Sequence, residues 1–366
     1  MKISVSTPTM NLRNNAHGYG HACQKMIQSL NNLGHDVKIQ DSTAKFQINF
    51  SQPPMCKFHK GQYQIVYVPW ESTEIPNDWK RNLELADEIW TTSDWCKQVF
   101  EDAGYTNVSV YAHGIDPIWK PKRRKRSDVL RFLHVGEPSI RKGGQLVTDA
   151  FASLFANNPK YQLTLKAAGS TNTRVFGGVI DHPTLEPEDM IATGFGWSFA
   201  ASRDPKHHID MNAKILGSPD KIYNNIKVIG ETLSEEALVN LYYEHDVLVY
   251  PTYGEGFGFI PLQALATGMP TISTFDWAHY KDYLGPLKLK SQIVDSQWDL
   301  VHPGKVFEPN YQHLLERMKE ADENFQAYSG YYYAQSTKIH EDYNWDQLTN
   351  NAFKKVIEKF SLVFTL

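Results

Sequence analysis

One glycine-rich turn carries a single acid. Residues 252–270 read TYGEGFGFIPLQALATGMP, where Glu255 lies among three glycines and Gln263 follows eight positions later. Glycines let backbone N–H groups approach a ligand closely, and the helix predicted around Pro261 would offer its positive N-terminus to an anion. Because an acid repels an anion, we predict that Glu255 instead accepts hydrogen bonds from sugar hydroxyls and that Gln263 contacts ribose hydroxyls. A tight surface turn without a ligand is the alternative.

A second glycine-rich turn carries two cations. In HVGEPSIRKGG a predicted strand ends at Gly136, and Arg141 and Lys142 lie at the start of a predicted helix. Two cations at a helix N-terminus suit a diphosphate, whereas a solvated basic turn is the alternative. Two such turns and an acid for hydroxyls together predict a nucleotide-sugar donor.

Alternating strands and helices must position these turns. Strands are predicted at DVLVYPT and LRFLHVGE, directly before the two turns, and the remaining chain continues the alternation of strand and helix. This pattern predicts parallel sheets in a doubly wound α/β fold, in which ligands bind at the carboxyl ends of strands. The basic run at 120–126 predicts a solvated interdomain linker, and the Gly-, Pro- and His-rich segment 171–215 predicts an insertion.

Composition limits the class of protein. The chain has 366 residues, 41% of them hydrophobic, and a net charge of −4, which suits two α/β domains and does not suit a polycation built for nucleic acid. Its three separated cysteines (Cys23, Cys56 and Cys96) predict buried thiols rather than disulfides or zinc ligands. The N-terminal MKISVSTPTM is too short for a signal peptide, and no apolar run spans a membrane. We therefore expect a soluble, cytoplasmic protein.

The stretch YGEGFGFIPLQALATGMPTI closely resembles the signature of the retaining glycosyltransferases of family 4, which have the GT-B fold. The family pattern is Glu-Gly-Phe-Gly, a short apolar stretch, Glu-Ala and then Gly-x-Pro. VGEPSIRKGG, VYAHGIDP and GYGHA are similar to other family segments. VPWESTEIPNDWKRNLELADEIWTTSDWCKQVF resembles a branch with Trp-Glu, then Pro and Trp. These segments follow the family order and span most of the chain.

The resemblance implies two Rossmann-like domains facing a central cleft. An N-terminal acceptor domain would cover 1–127, with a C-terminal helix at about 344–366 crossing back to it. A nucleotide-sugar-binding domain would cover 128–343. The implied reaction transfers a sugar from a nucleotide sugar, UDP-linked in our prediction, with retention of configuration and without a metal or cofactor. The acceptor would be a hydroxyl of a glycan or a lipid-linked saccharide.

The resemblance also implies roles for individual residues. Lys142 and Arg141 would hold the donor diphosphate, and Glu255 would contact the transferred sugar. Glycines of the first loop would let it close on the diphosphate. The implied donor-binding set is Gly18, Gly20, Gly136, Gly256, Phe257, Gly258 and Gln263. Weaker candidates for acceptor contact are His21, Trp70, Glu71 and His113.

Three positions depart from the family pattern. Gln263 stands where Glu is common, so we expect altered donor affinity or donor choice. Glu137 stands where Arg often follows the glycine, and Arg141 would compensate from its neighbouring position. Trp70 stands where many members have His, which makes the adjacent Glu71 a candidate acceptor contact.

Other functions remain open at this point. A DNA glycosyltransferase acting on a hydroxymethylated base would use the basic run and the insertion, and a duplex would have to expose that base. A non-catalytic nucleotide-sugar-binding protein would explain Gln263 and Glu137, and a sugar-phosphate synthase or phosphorylase is a third possibility. Two histidine groups invite a metal, but one lacks a third ligand and the other suits a solvated loop. These groups are His17 with His21, and His207 and His208 with Asp210.

Overall fold

The computed structural model describes residues 1–7, 18–137, 139–167, 223–229 and 233–364. The chain divides into two compact units. Unit 1 comprises Met1–Asp116 and Glu341–Leu366, and unit 2 comprises Pro117–His340.

The described strands and helices are numbered in chain order. The strands are β1 (Lys2–Ser6), β2 (Asp36–Ile39), β3 (Phe46–Asn49), β4 (Tyr63–Tyr67), β5 (Glu88–Thr91), β6 (Val108–Val110), β7 (Leu130–Gly136), β8 (Tyr161–Ala167), β9 (Ile226–Ile229), β10 (Val247–Tyr250), β11 (Thr271–Thr274), β12 (Lys288–Leu289), β13 (Ser291–Asp295) and β14 (Lys305–Pro309). The helices are α1 (Gly18–Asn32), α2 (Lys80–Leu83), α3 (Asp94–Asp102), α4 (Gly144–Phe155), α5 (Glu235–Glu244), α6 (Phe259–Ala266), α7 (Tyr311–Glu323), α8 (Phe325–Asp342) and α9 (Trp345–Phe364).

Unit 1 is built on a parallel sheet with the strand order β2-β1-β3-β4-β5-β6. Helix α1 packs its apolar face inward because Cys23, Met26 and Leu30 recur at helical spacing and are buried. The helix stops before Gly34, whose φ of 83° permits the left-handed turn that ends it. Helix α9 completes this core, since the Phe353 ring lies 5.3 Å from the Phe46 ring of β3.

The start of α1 corrects one sequence prediction. Gly18 and Gly20 were expected in a loop, but the helix already begins at Gly18, and Gly20 is buried in its first turn. Helix formation costs each glycine about 1 kcal/mol of backbone entropy relative to alanine. We infer that burial of the apolar face of α1, which starts directly after this first turn, offsets the cost of the two glycines.

Unit 2 repeats the architecture. Its parallel sheet has the order β12-β11-β10-β7-β8-β9, so β7 and β10 are neighbours at its centre. The antiparallel pair β13–β14 forms a hairpin outside this sheet. Two parallel-sheet α/β units confirm the predicted fold class. The Ser234 side chain caps α5 by accepting from the Ala237 N–H.

Six of the seven residues of the basic run 120–126 are exposed, as the sequence predicts, but the buried Arg124 departs from that prediction. Arg124 is 5% exposed, and its guanidinium donates to carbonyls of Tyr242 and His245 at the end of α5 and of Thr267 at the end of α6. Carbonyls at helix C-termini lack intrahelical donors, so a cation stabilises them. Arg126 pairs with Asp322 at 3.0 Å. Much of the run therefore serves unit 2 itself.

All three cysteines are free thiols. Cys23 and Cys96 are buried, as expected, whereas Cys56 is half-buried. Burial raises the pKa of Cys23 and Cys56 to about 12, although a side-chain hydrogen bond opposes the shift in each. Among the described residues, no helix is both long and apolar enough to cross a bilayer.

Candidate functional site

Two turns meet where the central strands of unit 2 end. The basic turn, residues 137–143, follows β7, and the acidic turn, residues 251–258, follows β10. The Tyr253 N–H donates to the Arg141 carbonyl at 2.8 Å, and the Thr252 hydroxyl donates to the same carbonyl at 2.9 Å. Gly143 permits this contact, since a Cβ there would lie 2.0 Å from the Pro251 carbonyl oxygen. The turns therefore form one hydrogen-bonded unit.

Glu255 receives both cations of the basic turn. Lys142 Nζ lies 2.7 Å from Oε1 and 2.9 Å from Oε2, and Arg141 Nη1 lies 3.2 Å from Oε1. The Glu255 side chain is 8% exposed and that of Lys142 is 13% exposed. The sequence placed all three residues at one strand-end site, and the structure brings them into direct contact.

The carboxyl of Glu255 remains ionised in this setting. Burial alone would raise the pKa of Glu255, but the charges of Lys142 and Arg141 and their hydrogen bonds outweigh it and lower the pKa to about 2. The site therefore holds a buried, charged cluster rather than a neutral acid.

The two carboxylate oxygens of Glu255 differ in their partners. Oε1 accepts from Lys142 and Arg141 and from the Tyr250 hydroxyl at 2.9 Å, and Thr252 Oγ1 lies 3.0 Å from it. Within the described parts of the chain, Oε2 has the hydrogen bond from Lys142 alone. A carboxylate oxygen has two acceptor directions, so Oε2 is the atom suited to a ligand hydroxyl.

The Arg141 side chain bonds to other groups of the protein. Its guanidinium is buried and donates to the Gly254 carbonyl at 2.7 Å as well as to Glu255. Glu137 Oε1 lies 3.6 Å from Arg141 Nη2. Glu137, which departs from the family pattern, thus pairs with Arg141, the residue expected to compensate for it. Because Arg141 has these partners, Lys142 is the better placed of the two cations for a ligand.

Gly258 is the N-cap residue of helix α6 and has a conformation that suits glycine. Its φ is 79°, and a Cβ there would lie 2.4 Å from the Tyr280 hydroxyl. That hydroxyl donates to the Gly258 carbonyl at 2.6 Å. Phe257 is 3% exposed and packs against Tyr280, and Gly256 is buried beside it. The Phe257 ring is therefore part of the packed interior of unit 2.

Gln263 lies on α6 and is half-buried. Its Oε1 accepts a hydrogen bond from the Tyr242 hydroxyl at 3.4 Å. The same hydroxyl also lies 3.4 Å from the Ile260 carbonyl oxygen, so its single proton is shared between two acceptors.

Gly136 closes β7 beside the basic turn. A Cβ there would lie 3.3 Å from Lys142 Cβ and 3.5 Å from His134 Nε2. His134 donates its Nδ1–H to the Val249 carbonyl at 2.9 Å and stacks on Tyr250. Burial lowers the pKa of His134, the Val249 hydrogen bond opposes this shift and the Lys142 charge adds to it, and together they bring the pKa to about 4. The imidazole is therefore neutral near pH 7.

The acceptor candidates lie in unit 1. His21 Nε2 lies 2.6 Å from Asp116 Oδ2, and Lys25 Nζ lies 2.7 Å from Asp116 Oδ1. Burial would raise the pKa of Asp116, but hydrogen bonds and charge from His21 and Lys25 lower it. His113 is 4% exposed, and burial lowers its pKa to about 3, with a smaller contribution from His21.

Trp70 belongs to the core of unit 1. Its ring is 2% exposed, packs on Trp79 and donates its Nε1–H to the Glu74 carbonyl at 2.7 Å. A buried ring offers no surface to an acceptor in this conformation. The adjacent Glu71 is half-buried.

Comparison with known families identifies the type of enzyme. Residues 202–285 match the family described as glycosyl transferases group 1. This range contains the acidic turn and Gln263, so the match and the geometry concern the same segment. The chain is a glycosyltransferase. Membership of family 4, and of the branch with the Trp-Glu pattern, stays a prediction. No curated protein sequence matches the chain.

Solved structures resemble this glycosyltransferase along most of its length. Sucrose-phosphate synthase from Thermosynechococcus elongatus is 12% identical with a TM-score of 0.64, covering 99% of each chain. WaaG, a glycosyltransferase involved in lipopolysaccharide biosynthesis, is 12% identical with a TM-score of 0.56, covering 96% of this chain and 98% of its own. A UDP-forming trehalose-phosphate synthase from Burkholderia xenovorans is 13% identical with a TM-score of 0.57, covering 92% and 77%. At such identities the likeness establishes the GT-B fold.

Sequence reasoning missed several residues of the glycosyltransferase site. Tyr250 reads as an apolar strand residue and Thr252 as a turn residue, although both hydroxyls lie within 3.0 Å of Glu255 Oε1. Their position at a strand end beside a lone acid was the available signal. His17, His207, His208, Asp210 and the predicted insertion 171–215 lie outside the described residues.

Proposed function

We propose that this glycosyltransferase moves a sugar from a UDP-sugar to a hydroxyl of a saccharide or lipid-linked saccharide, with retention of configuration. The observation that carries the proposal is the buried Glu255 carboxylate held by Lys142 and Arg141 at the ends of adjacent strands. One cluster then contains a cation for a phosphate and a carboxylate for a sugar hydroxyl.

Cleavage of the sugar–phosphate bond places negative charge on the leaving diphosphate. The Lys142 ammonium and the free N–H groups at the start of α4 would stabilise that charge as it develops. Glu255 Oε2 would accept a hydroxyl of the transferred sugar and orient it. The acceptor oxygen would bond to the anomeric carbon on the face that the diphosphate leaves, and a donor phosphate oxygen would take its proton.

Proteins of the same fold support the choice of UDP. One is described as a UDP-forming trehalose-phosphate synthase. Another, the pneumococcal O-GlcNAc transferase GtfA, was solved with UDP and GlcNAc. These descriptions belong to those proteins, and UDP is carried over here as part of the proposal.

The saccharide acceptor is preferred over DNA for a physical reason. A DNA-binding surface needs cations that are free to meet phosphates. Arg124 and Arg126 of the basic run are instead bonded within unit 2, and Lys122 donates to the Tyr243 carbonyl at 2.7 Å. The run thus offers fewer free cations than the sequence suggests.

A thermal-shift panel of UDP-, GDP-, ADP- and TDP-glucose tests the donor site. We expect UDP-glucose to stabilise the wild type and Lys142→Ala to abolish that shift, each read against the variant's own baseline. Lys305→Ala is the matched control, because Lys305 is 54% exposed in a surface pair of the same unit. It should keep the full shift.

Transfer assays then test the acceptor and the stereochemistry. Incubation with UDP-glucose and either a saccharide, fructose 6-phosphate or hydroxymethylated DNA separates the acceptor classes. NMR of the product's anomeric proton reports retention. If no nucleotide sugar stabilises the wild type and none is turned over, the proposal fails. Tight UDP binding without turnover would instead favour a binding protein.

A further inference from the structure

The β13–β14 hairpin packs against both turns of the site. Tyr253, Trp298 and Val306 form a buried cluster. Ile140 of the basic turn, Leu146 of α4 and Val294 of β13 pack against it. One apolar cluster therefore contacts the basic turn, the acidic turn and the hairpin together.

Tyr253 is the residue through which these segments meet. Its N–H donates to the Arg141 carbonyl at 2.8 Å, and its own carbonyl accepts from the Phe307 N–H of β14 at 2.8 Å. Its side chain is 7% exposed. Glu255 follows Tyr253 by two residues, so the position of Tyr253 limits where the Glu255 backbone can lie.

Trp298 fixes the ring of Tyr253 from the hairpin. The two rings are perpendicular, with centroids 5.8 Å apart, which is the favourable edge-to-face arrangement. Trp298 is 5% exposed, and its carbonyl accepts from the N–H groups of Val301 and His302. These two hydrogen bonds fix the backbone of Trp298, from which the indole extends.

We propose that Trp298 is a positioning residue that holds the acidic turn against the basic turn, and so keeps Glu255 and Lys142 in register for the donor. Trp298 acts through its contact with Tyr253. The link from the hairpin to the turns stands on the contacts above, whereas its consequence for the donor rests on the function proposed for this site.

Hydrogen exchange with mass spectrometry tests the link without any ligand. In Trp298→Ala we expect the amides of both turns, including that of Tyr253, to exchange about tenfold faster, because local opening becomes easier. Trp298→Phe keeps an aromatic ring at this position and should restore slow exchange. Leu300→Ala is the matched control, since Leu300 lies in the same hairpin and is 66% exposed. Val306→Ala, a smaller deletion in the cluster, should act in the same direction if Trp298→Ala does not fold.

UDP binding by calorimetry tests the consequence. Trp298→Ala should weaken UDP binding about tenfold, with Trp298→Phe and Leu300→Ala close to wild type. Faster exchange confined to residues 291–309 would overturn the link, and unchanged UDP affinity despite faster exchange in both turns would overturn the positioning role. If wild type binds no UDP, the proposed function and the role in donor binding both fail, and exchange alone decides the link.

Discussion

Lys142 Nζ donates to both carboxylate oxygens of Glu255, at 2.7 and 2.9 Å. The cation expected to bind a diphosphate is therefore already compensated inside the protein. An arriving diphosphate and the carboxylate would share one ammonium group, which has three donors. Charge at this residue pair then decides both the stability of the free protein and its affinity for the donor.

The first prediction concerns the charge of Glu255. Glu255→Gln keeps the shape but leaves Lys142 and Arg141 without their carboxylate, so the free energy of unfolding should fall by about 3 kcal/mol. Removal of the acid should also tighten UDP binding about threefold or more, since it takes a negative charge from beside the anion. Urea denaturation and calorimetry measure the two effects.

The control for this prediction is a carboxylate of the same unit on the surface. Asp295 is 89% exposed in its pair with Lys305, and Asp295→Asn should leave both quantities nearly unchanged. Weaker UDP binding in Glu255→Gln would mean that the carboxylate helps to bind the nucleotide rather than the sugar.

The second prediction concerns pH. The folded protein holds His134 with a pKa of about 4, below its usual 6.5. Between these values the unfolded chain binds a proton that the folded chain does not, so stability falls as pH drops from 6.5 to 4. His134→Asn, which retains a donor for the Val249 carbonyl, should flatten this slope by about 1 kcal/mol per pH unit.

Urea denaturation at several pH values measures the slope. Some dependence must persist in the variant, because burial also lowers the pKa of His113 to about 3 and of His245 to about 4. Equal slopes for wild type and His134→Asn would show that His134 is protonated in the folded protein.

The third prediction concerns the amide at Gln263. Its Oε1 lies 3.4 Å from the Tyr242 hydroxyl, and we expect its NH₂ to face the ligand. Gln263→Glu would present a carboxylate, which accepts charge-assisted hydrogen bonds from two ribose hydroxyls. The ratio of Kd values for 2′-deoxy-UDP and UDP should rise about tenfold in the variant. Calorimetry with both nucleotides measures it, and an unchanged ratio would place the ribose elsewhere.

The fourth prediction concerns Arg124. Arg124→Met leaves the carbonyls at the ends of α5 and α6 without their donor, so the free energy of unfolding should fall by about 3 kcal/mol. Lys125→Met is the control, because Lys125 is exposed, and it should change stability by less than about 0.5 kcal/mol. If both variants matched wild type, the buried guanidinium would contribute nothing net.

The sequence predicted the two turns because each follows an apolar strand with glycines and a distinctive charge. It did not predict that Lys142 of one turn and Glu255 of the other form an ion pair. Lys142 and Glu255 are 113 residues apart, and local patterns carry no information about a pairing that the sheet order creates. Arg124 was misread for the same reason, since the helix ends that bind it are distant in sequence.

Elements without a clear period were also missed. β3 was not predicted, because FQIN is short and two of its four residues are polar, although the strand is entirely buried. The predictions likewise omit α8, whose buried face includes Ser329, Tyr332 and Ser336 among polar neighbours. Burial of polar side chains depends on partners that only the fold supplies.

The return of α9 to unit 1 has a consequence for synthesis on the ribosome. Unit 2 is one continuous stretch, but the sheet of unit 1 lacks part of its cover until residues 345–364 have been translated. Phe46 of β3 therefore lacks its packing partner Phe353 until all of unit 2 has been synthesised. The later-encoded unit can fold first, and the unit that is translated first is the last to be finished.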